Sequence, residues 1–308
     1  MRLLVSGAGA TGGYFGGRLA EAGRDITFLV RTGRLAQLKE KGLRIVSPHG
    51  DVTLAPKLAT AGQIRAPFDV VLLAVKAFAL EAALEDLAPA VGAHTLIVPL
   101  LNGMQHMARL TARFGGRAAL GGVCKVVAEV DADGRIIQHN PLQELSYGEM
   151  NGVVSERVAR LDAVMRGAGF DAKLSTAIER EMWEKWMLLA SVGGLTCLLR
   201  GDLGEIAAAP GGRALARDFL EEVVSIVRAV GQSPSPAALS LAEAVLGART
   251  SMHTSSLYRD LQTGKPTEAE QIIGDLLGRA QRAGLPAPLL TAAHASLSIY
   301  EQRRAASA

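Results

Sequence analysis

Apolar residues in the first half of the chain fall into short, nearly continuous runs separated by segments with helical spacing. Met1–Val5, Asp25–Val30, Asp69–Val75 and Thr95–Leu101 are such runs. Apolar runs of that length suit a parallel sheet covered on both faces. Tyr14–Ala22, closed by Gly23, and Leu80–Leu87 read as intervening helices. Val52–Leu58 reads as one further short strand, with later strands over Ala119–Ala128, Gly134–His139, Leu145–Tyr147 and Ala172–Leu174, and a helix over Val154–Ala168. This alternation predicts a doubly wound α/β domain over residues 1–176. Beyond it the pattern is helical throughout. Ala177–Leu199, Gly211–Val230, Pro236–Met252, Glu268–Gly284 and Pro288–Arg304 carry apolar positions three or four apart, broken at Gly231, Gly264-Lys265-Pro266 and Gly284-Leu285-Pro286. Residues 177–308 are therefore expected to form an all-α domain, with substrate held in the cleft between the two.

The first strand runs directly into Gly7-Ala8-Gly9-Ala10-Thr11-Gly12. Placed between a strand and a helix, G-x-G-x-x-G is the phosphate turn of a Rossmann dinucleotide-binding domain. Gly7 permits the tight turn, Gly9 lets backbone approach a pyrophosphate, and Gly12 lets the helix pack on the strand with its positive end toward the phosphates. The end of the second strand bears on which dinucleotide. NAD sites usually place Asp or Glu there, about 20 residues past the glycines, to accept from the ribose hydroxyls. Here the residues are Arg31, Thr32 and Arg34, with no carboxylate before Glu40. A guanidinium suits a 2′-phosphate and cannot accept from a hydroxyl, which points to NADP; a solvated basic loop is the other reading.

Composition narrows the field. The 308 residues carry a net charge of only +3, and their 33 Lys and Arg are scattered with just four Tyr, which argues against a nucleic-acid partner. Cys124 and Cys197 lie far apart in apolar or small-residue contexts, as core cysteines of a reducing compartment do. Six dispersed His give no metal-ligand spacing. The longest apolar stretch, Trp186–Leu199, is shorter than the roughly 20 residues of a bilayer span, so no membrane association is expected. The chain starts on a strand that the fold needs rather than on a secretory signal, and a cytoplasmic protein is expected. A homodimer is compatible with the apolar helical half, and so is a monomer.

Several segments, in order, resemble the ketopantoate reductase (2-dehydropantoate 2-reductase) family over nearly the whole chain. They are Gly7 to Gly16, Arg31 with Leu38 to Leu43, Val75-Lys76, Leu101-Asn102-Gly103, Tyr147-Gly148-Glu149, Met182 to Lys185, Ser255 to Asp260 and Pro266-Thr267-Glu268. The resemblance implies NADPH-dependent reduction of a 2-oxo acid to a 2-hydroxy acid, for ketopantoate within pantothenate and coenzyme A synthesis. It also implies site residues. Lys185 matches the general acid, Glu268 supports the catalytic site and the cofactor, and Ser256 binds substrate. Lys76 and Asn102 sit near cofactor and substrate, and His253 occupies a further substrate-contact position. Gly7, Ala8, Gly9, Ala10, Thr11, Gly12 and Arg31 hold the cofactor.

The residues themselves admit both functional and plainer readings. Hydride addition to a ketone leaves negative charge on oxygen, so a proton donor must stand within hydrogen-bond reach, and an ammonium fills that role. On a helix Lys185 has Glu181, Met182, Leu188 and Leu189 as neighbours, a mostly apolar setting. An exposed Glu181–Lys185 ion pair is the plainer alternative. Lys76 and Asn102 follow the carboxyl ends of buried strands, where such sheets bind ligands, although strand termination and an Asn-Gly turn account for them equally. Thr267-Glu268 also reads as a helix start.

The chain departs from the family pattern where two asparagines usually face the substrate, four and eight residues after the lysine. Leu189 and Gly193 stand there instead. Each lost hydrogen bond to a charged group is worth about 1.5–3 kcal/mol. The expectation is thus either a ketopantoate reductase with a rearranged pocket or a paralogue for a different, more apolar 2-oxo acid. Opine-type and D-2-hydroxyacid dehydrogenases are rivals among enzymes. A non-catalytic NADP-binding regulator is the rival outside them.

Overall fold

A computed structural model of the chain describes residues 1–307. The chain divides into two compact units, Met1–Leu101 with His106–Glu179, and Asn102–Gln105 with everything from Arg180 onward. In the first unit the order is β1 (Arg2–Ser6), α1 (Ala10–Glu21), β2 (Asp25–Leu29), α2 (Thr32–Lys41), β3 (Leu43–Val46), β4 (Val52–Leu54), β5 (Lys57–Ala59), β6 (Val70–Leu73), α3 (Leu80–Leu87), β7 (Leu96–Pro99), α4 (Gln105–Phe114), β8 (Gly121–Val130), β9 (Ile136–Gly148), α5 (Glu156–Met165) and β10 (Asp171–Leu174). Then come α6 (Ile178–Leu199), α7 (Leu203–Ala208), α8 (Gly212–Val230), α9 (Pro236–Leu246), α10 (Ser256–Gln262), α11 (Asp275–Arg282) and α12 (Pro288–Ala306), with a π-helical turn over Glu270–Gly274 leading into α11. The Rossmann-type α/β domain followed by an all-helical domain is the class the sequence predicts.

Five strands form a parallel sheet in the order β5-β2-β1-β6-β7. Both faces are covered, as their nearly continuous apolar runs require. Leu3, Val5, Val70 and Leu72 face one core, and Leu4, Val71, Leu73 and Ile97 face the other. Strand order reverses between β1 and β6, the switch point at whose carboxyl edge such sheets bind ligands.

A second sheet, β10-β9-β3-β4 with β8 on β9, lies in the same unit, and α1 packs between the two sheets. That placement explains why α1 is buried from Gly12 to Leu19 and rich in glycine. A Cβ on Gly16 would sit 2.8 Å from Val5 and Phe28 of the first sheet, and one on Gly17 2.6 Å from Ile45 of the second. Helix and sheets meet at distances that side chains would prevent. Tyr14, fully buried in that layer, donates its hydroxyl to Gln143 Oε1 at 2.5 Å.

Several elements differ from expectation. The single strand over Val52–Leu58 is two. β4 pairs antiparallel with β3 in the second sheet, and β5 pairs parallel with β2 in the first. Pro56 between them cannot donate to a ladder, and the chain changes sheet there. Conversely, Ile136–His139 and Leu145–Tyr147 belong to one strand, β9, whose pairing with β8 jumps register across Val126/Ala128, while Gly134 and Arg135 lie in the turn before it. Helices α2, α4 and α7 and strand β3 form where the apolar pattern predicts no element. Pro236–Met252 ends as a helix at Leu246, and Glu268 precedes rather than begins its helix. No helix among the described residues is long and apolar enough to cross a membrane.

Candidate active-site residues

The glycine-rich turn has the open backbone that a phosphate seat would need. Gly7 follows β1 at φ +97°, and a Cβ there would lie 2.7 Å from the carbonyl oxygen of Ala74, just past β6. The turn therefore sits at the switch point and tolerates only glycine. Gly9 caps α1 without a side-chain hydrogen bond, and the first helical bond runs from the Gly13 N–H to the Gly9 carbonyl at 2.8 Å. The helix itself thus gives the amides of Ala10, Thr11 and Gly12 no acceptor, and no acidic residue occupies its first turn. A Cβ on Gly9 would meet nothing within 4 Å, whereas one on Gly12 would fall 2.1 Å from the Gly7 carbonyl oxygen. Open space lies above Gly9 and dense packing beneath Gly12. That is the division of labour expected of a turn that admits a pyrophosphate.

Arg31 is exposed at the end of β2, where it precedes the first residue of α2. Lys76 is also exposed, three residues past β6. Arg34 was not selected from the sequence as a site residue, yet it anchors the turn. Its Nε donates to the Ala8 carbonyl at 3.0 Å and its Nη1 to the Gly134 carbonyl at 3.1 Å and to Gln37 Oε1. Burial, together with nearby Arg44, holds its guanidinium below the usual arginine value. Its only signal in the sequence was its place one helical turn after Arg31.

The remaining candidates all belong to the second unit. Lys185 is half-buried on α6 and is the last charged residue before Arg200. Adjacent Trp186 is fully buried, and its Nε1–H donates to the Ile272 carbonyl at 2.9 Å. Ile272 lies in the π-helical turn, and its own N–H donates to the Glu268 carbonyl at 3.1 Å. Glu268 is buried, beside Thr267, whose N–H and hydroxyl both donate to Glu301 Oε1 at 2.7 Å. Asn102 is half-buried. Its neighbour Gly103, at φ +76°, comes so close to the same turn that a Cβ would lie 2.6 Å from the Gln271 carbonyl oxygen. Asn102, Lys185 and Glu268, far apart in sequence, are thus tied through their immediate neighbours to one π-turn.

Ser255 caps α10 by accepting from the Tyr258 N–H at 3.0 Å, and its hydroxyl is 2.9 Å from that of Thr196 on α6. Ser256, the first helical residue, is half-buried. His253 is exposed as a residue, yet enough chain surrounds its ring to desolvate it. That desolvation, with Arg259 adding to it, holds the imidazole below the ordinary histidine value.

Family models for ketopantoate reductase match residues 3–152, and for its C-terminal domain residues 177–301. The chain belongs to the ketopantoate reductase family. A 2-dehydropantoate 2-reductase of Mesorhizobium japonicum is 31% identical over 95% of each chain. An uncharacterized oxidoreductase of Bacillus subtilis, YkpB, is 38% identical over 99% of this chain and all of that one. The solved 2-dehydropantoate 2-reductase of Geobacter metallireducens superposes with a TM-score of 0.87 at 28% identity, covering 97% of this chain and 99% of that one.

Set against the family pattern, the two missing asparagines acquire a structural explanation at one position. A Cβ on Gly193 would lie 2.8 Å from Leu257 Cδ1, so the tip of that buried leucine of α10 would have to turn aside to admit a side chain at 193. Leu189 is half-buried one helical turn beyond Lys185.

Proposed function

We propose that this protein is an NADPH-dependent reductase of a 2-oxo acid, with ketopantoate the first candidate and Lys185 the proton donor. Lys185 carries the reading. It is a half-buried amine on a helix that carries no other charged residue from there as far as Arg200, at the position that matches the family's general acid. When bound, the nicotinamide supplies a hydride to the carbonyl carbon. The protein's part is to hold the acid's carbonyl oxygen beside Lys185, whose Nζ–H bonds to it, neutralises the developing alkoxide and gives up a proton. Buried Glu268 supports that site from beside the π-turn, and Asn102, Ser256 and His253 contribute donors for the substrate. Arg31 receives the cofactor's 2′-phosphate, and the N-terminal turn of α1 its pyrophosphate.

A second reading, a different and more apolar 2-oxo acid as natural substrate, is favoured by Leu257 filling the space at Gly193 and by Leu189 on the lysine's face of α6. The name of the Geobacter relative favours ketopantoate. Comparing kcat/KM for ketopantoate with that for 2-oxo acids bearing branched or aryl side chains separates the two. The Lys185→Ala variant, expected to lose about 10²–10⁴-fold in kcat, tests the proton donor.

A further inference from the structure

The π-turn beside Glu268 calls for an explanation. A π-helical turn inserts one residue into an α-helix and interrupts its four-residue hydrogen-bond ladder. Here the Asp275 N–H reaches back to the Glu270 carbonyl, five residues away. The carbonyl of Ile272, within the widened turn, accepts the indole N–H of Trp186. Each group needs the other, because a fully buried indole N–H and a buried carbonyl both lose water on folding. The ring is fixed further by Trp183, with centroids 5.1 Å apart, and by Arg279, whose guanidinium carbon stands 5.4 Å from both rings. Arg279 is itself held by Asp275.

We propose that Trp186 is a positioning residue that sets Lys185 and Glu268 in place through this one hydrogen bond. Adjacent helix residues differ by about 100° in direction, so fixing the Trp186 ring fixes the direction in which Lys185 leaves α6. On the other side, the bond holds the π-turn open. Closing it into an ordinary α-turn shifts the register of everything before it by one residue, turning the backbone at Glu268 by about 100°. Gly103 packs against the Gln271 carbonyl, so the Asn102 turn rides on the same element. The inference rests on the reading of Lys185 as proton donor.

The test compares Trp186→Phe with Trp183→Phe and Lys185→Ala in the full-length protein. Trp186→Phe keeps most of the ring and removes the donor. Trp183→Phe trims the same aromatic cluster without touching that bond. Misplacement of reacting groups by about 1 Å costs up to about 10²-fold. Trp186→Phe is therefore expected to lower kcat ten- to a hundredfold and to raise substrate KM, to which Asn102 contributes, by less than that factor, with NADPH Kd, set chiefly by the α1 turn and Arg31, within about threefold of native. Trp183→Phe is expected to keep kcat within threefold even where its melting temperature falls as far. If the Phe variant does not fold, Trp186→Met, also without a donor, supplies flexible bulk and the same readouts. Native kcat in a folded Trp186 variant, alongside a collapsed Lys185→Ala, overturns the proposal alone. Equal losses in both Trp variants, tracking melting temperature, overturn it as well. Native rates in Lys185→Ala instead overturn the proton-donor reading, and the positioning role with it.

Discussion

Gly9 and Gly12 sit three residues apart in one turn, and the structure predicts opposite consequences for the same substitution. At Gly9 an added methyl meets nothing within 4 Å, and the backbone, at φ −84° and ψ −161°, is open to alanine. The cost to the fold is therefore the weaker helix capping of alanine, at most about 1 kcal/mol. At Gly12 the methyl would stand 2.1 Å from the Gly7 carbonyl oxygen and 2.7 Å from the Ala74 Cβ. Ordinary contacts there need on the order of 1 Å more room, which only a shift of α1 away from β1 and β6 provides; overpacking of that kind costs about 1–3 kcal/mol. At roughly 2–4 °C per kcal/mol for a domain of this size, Gly12→Ala lowers the melting temperature by about 2–12 °C, and Gly9→Ala by no more than about 4 °C. Cofactor binding reverses the order of interest. If the open face above Gly9 is where the pyrophosphate lies, Gly9→Ala raises the NADPH Kd at least tenfold, about 1.4 kcal/mol, in a folded protein. Thermal melts and NADPH fluorescence titrations on both variants read the two quantities separately. Native NADPH affinity in Gly9→Ala refutes the assignment of that face to the dinucleotide.

Arg31→Ala is expected to weaken NADPH by about 1.5–3 kcal/mol, roughly ten- to 150-fold, and to leave NADH nearly unchanged; equal losses for both cofactors exclude a 2′-phosphate contact. Burial pushes the Glu149 carboxyl up, but its bonds from Arg157 and Ser155 outweigh that and hold it below the ordinary glutamate range. A depressed carboxyl stabilises the fold fully above its unfolded value of about 4.3 and loses that contribution as pH falls through the lower folded value. Glu149→Gln should thus cost about 1–3 kcal/mol at neutral pH and flatten the acid limb of a urea-stability profile, a limb that stays unchanged if the Arg157 pair is inert. Gly193→Asn drives a side chain into Leu257 and should destabilise by about 1–3 kcal/mol, with Leu257→Ala in the same chain recovering part of the loss; strict additivity of the two contradicts the steric account.

The parallel sheet was legible because its strands are apolar on both faces, and the glycine turn because its sequence is bounded by a strand and a helix. Sparse burial hid other elements. α2 buries only Leu38 among ten residues, so Thr32–Lys41 looks like a basic loop. α4 buries only His106 and Leu110. Pairing partners were not legible at all. Nothing local in Val52–Leu58 says that its two ends join different sheets, and only Pro56 marks the break. In the candidate site, Lys185, Glu268 and Asn102 are candidates by resemblance, whereas nothing in the sequence singles out Trp186 or the π-turn. One inserted residue in a helix leaves the apolar periodicity of Glu268–Gly284 almost intact, and a buried tryptophan on α6 reads as core until its N–H is followed to the Ile272 carbonyl. The packing of Leu257 against Gly193 was beyond sequence for the same reason: it joins residues on different helices.

The most direct test is NADPH oxidation with a panel of 2-oxo acids that includes ketopantoate, run on the native protein and on Lys185→Ala. The account predicts turnover of at least one panel member by the native protein and a loss of about 10²–10⁴-fold in the variant, with NADPH binding retained. Native rates in Lys185→Ala, or NADPH bound tightly with no member reduced, would contradict it.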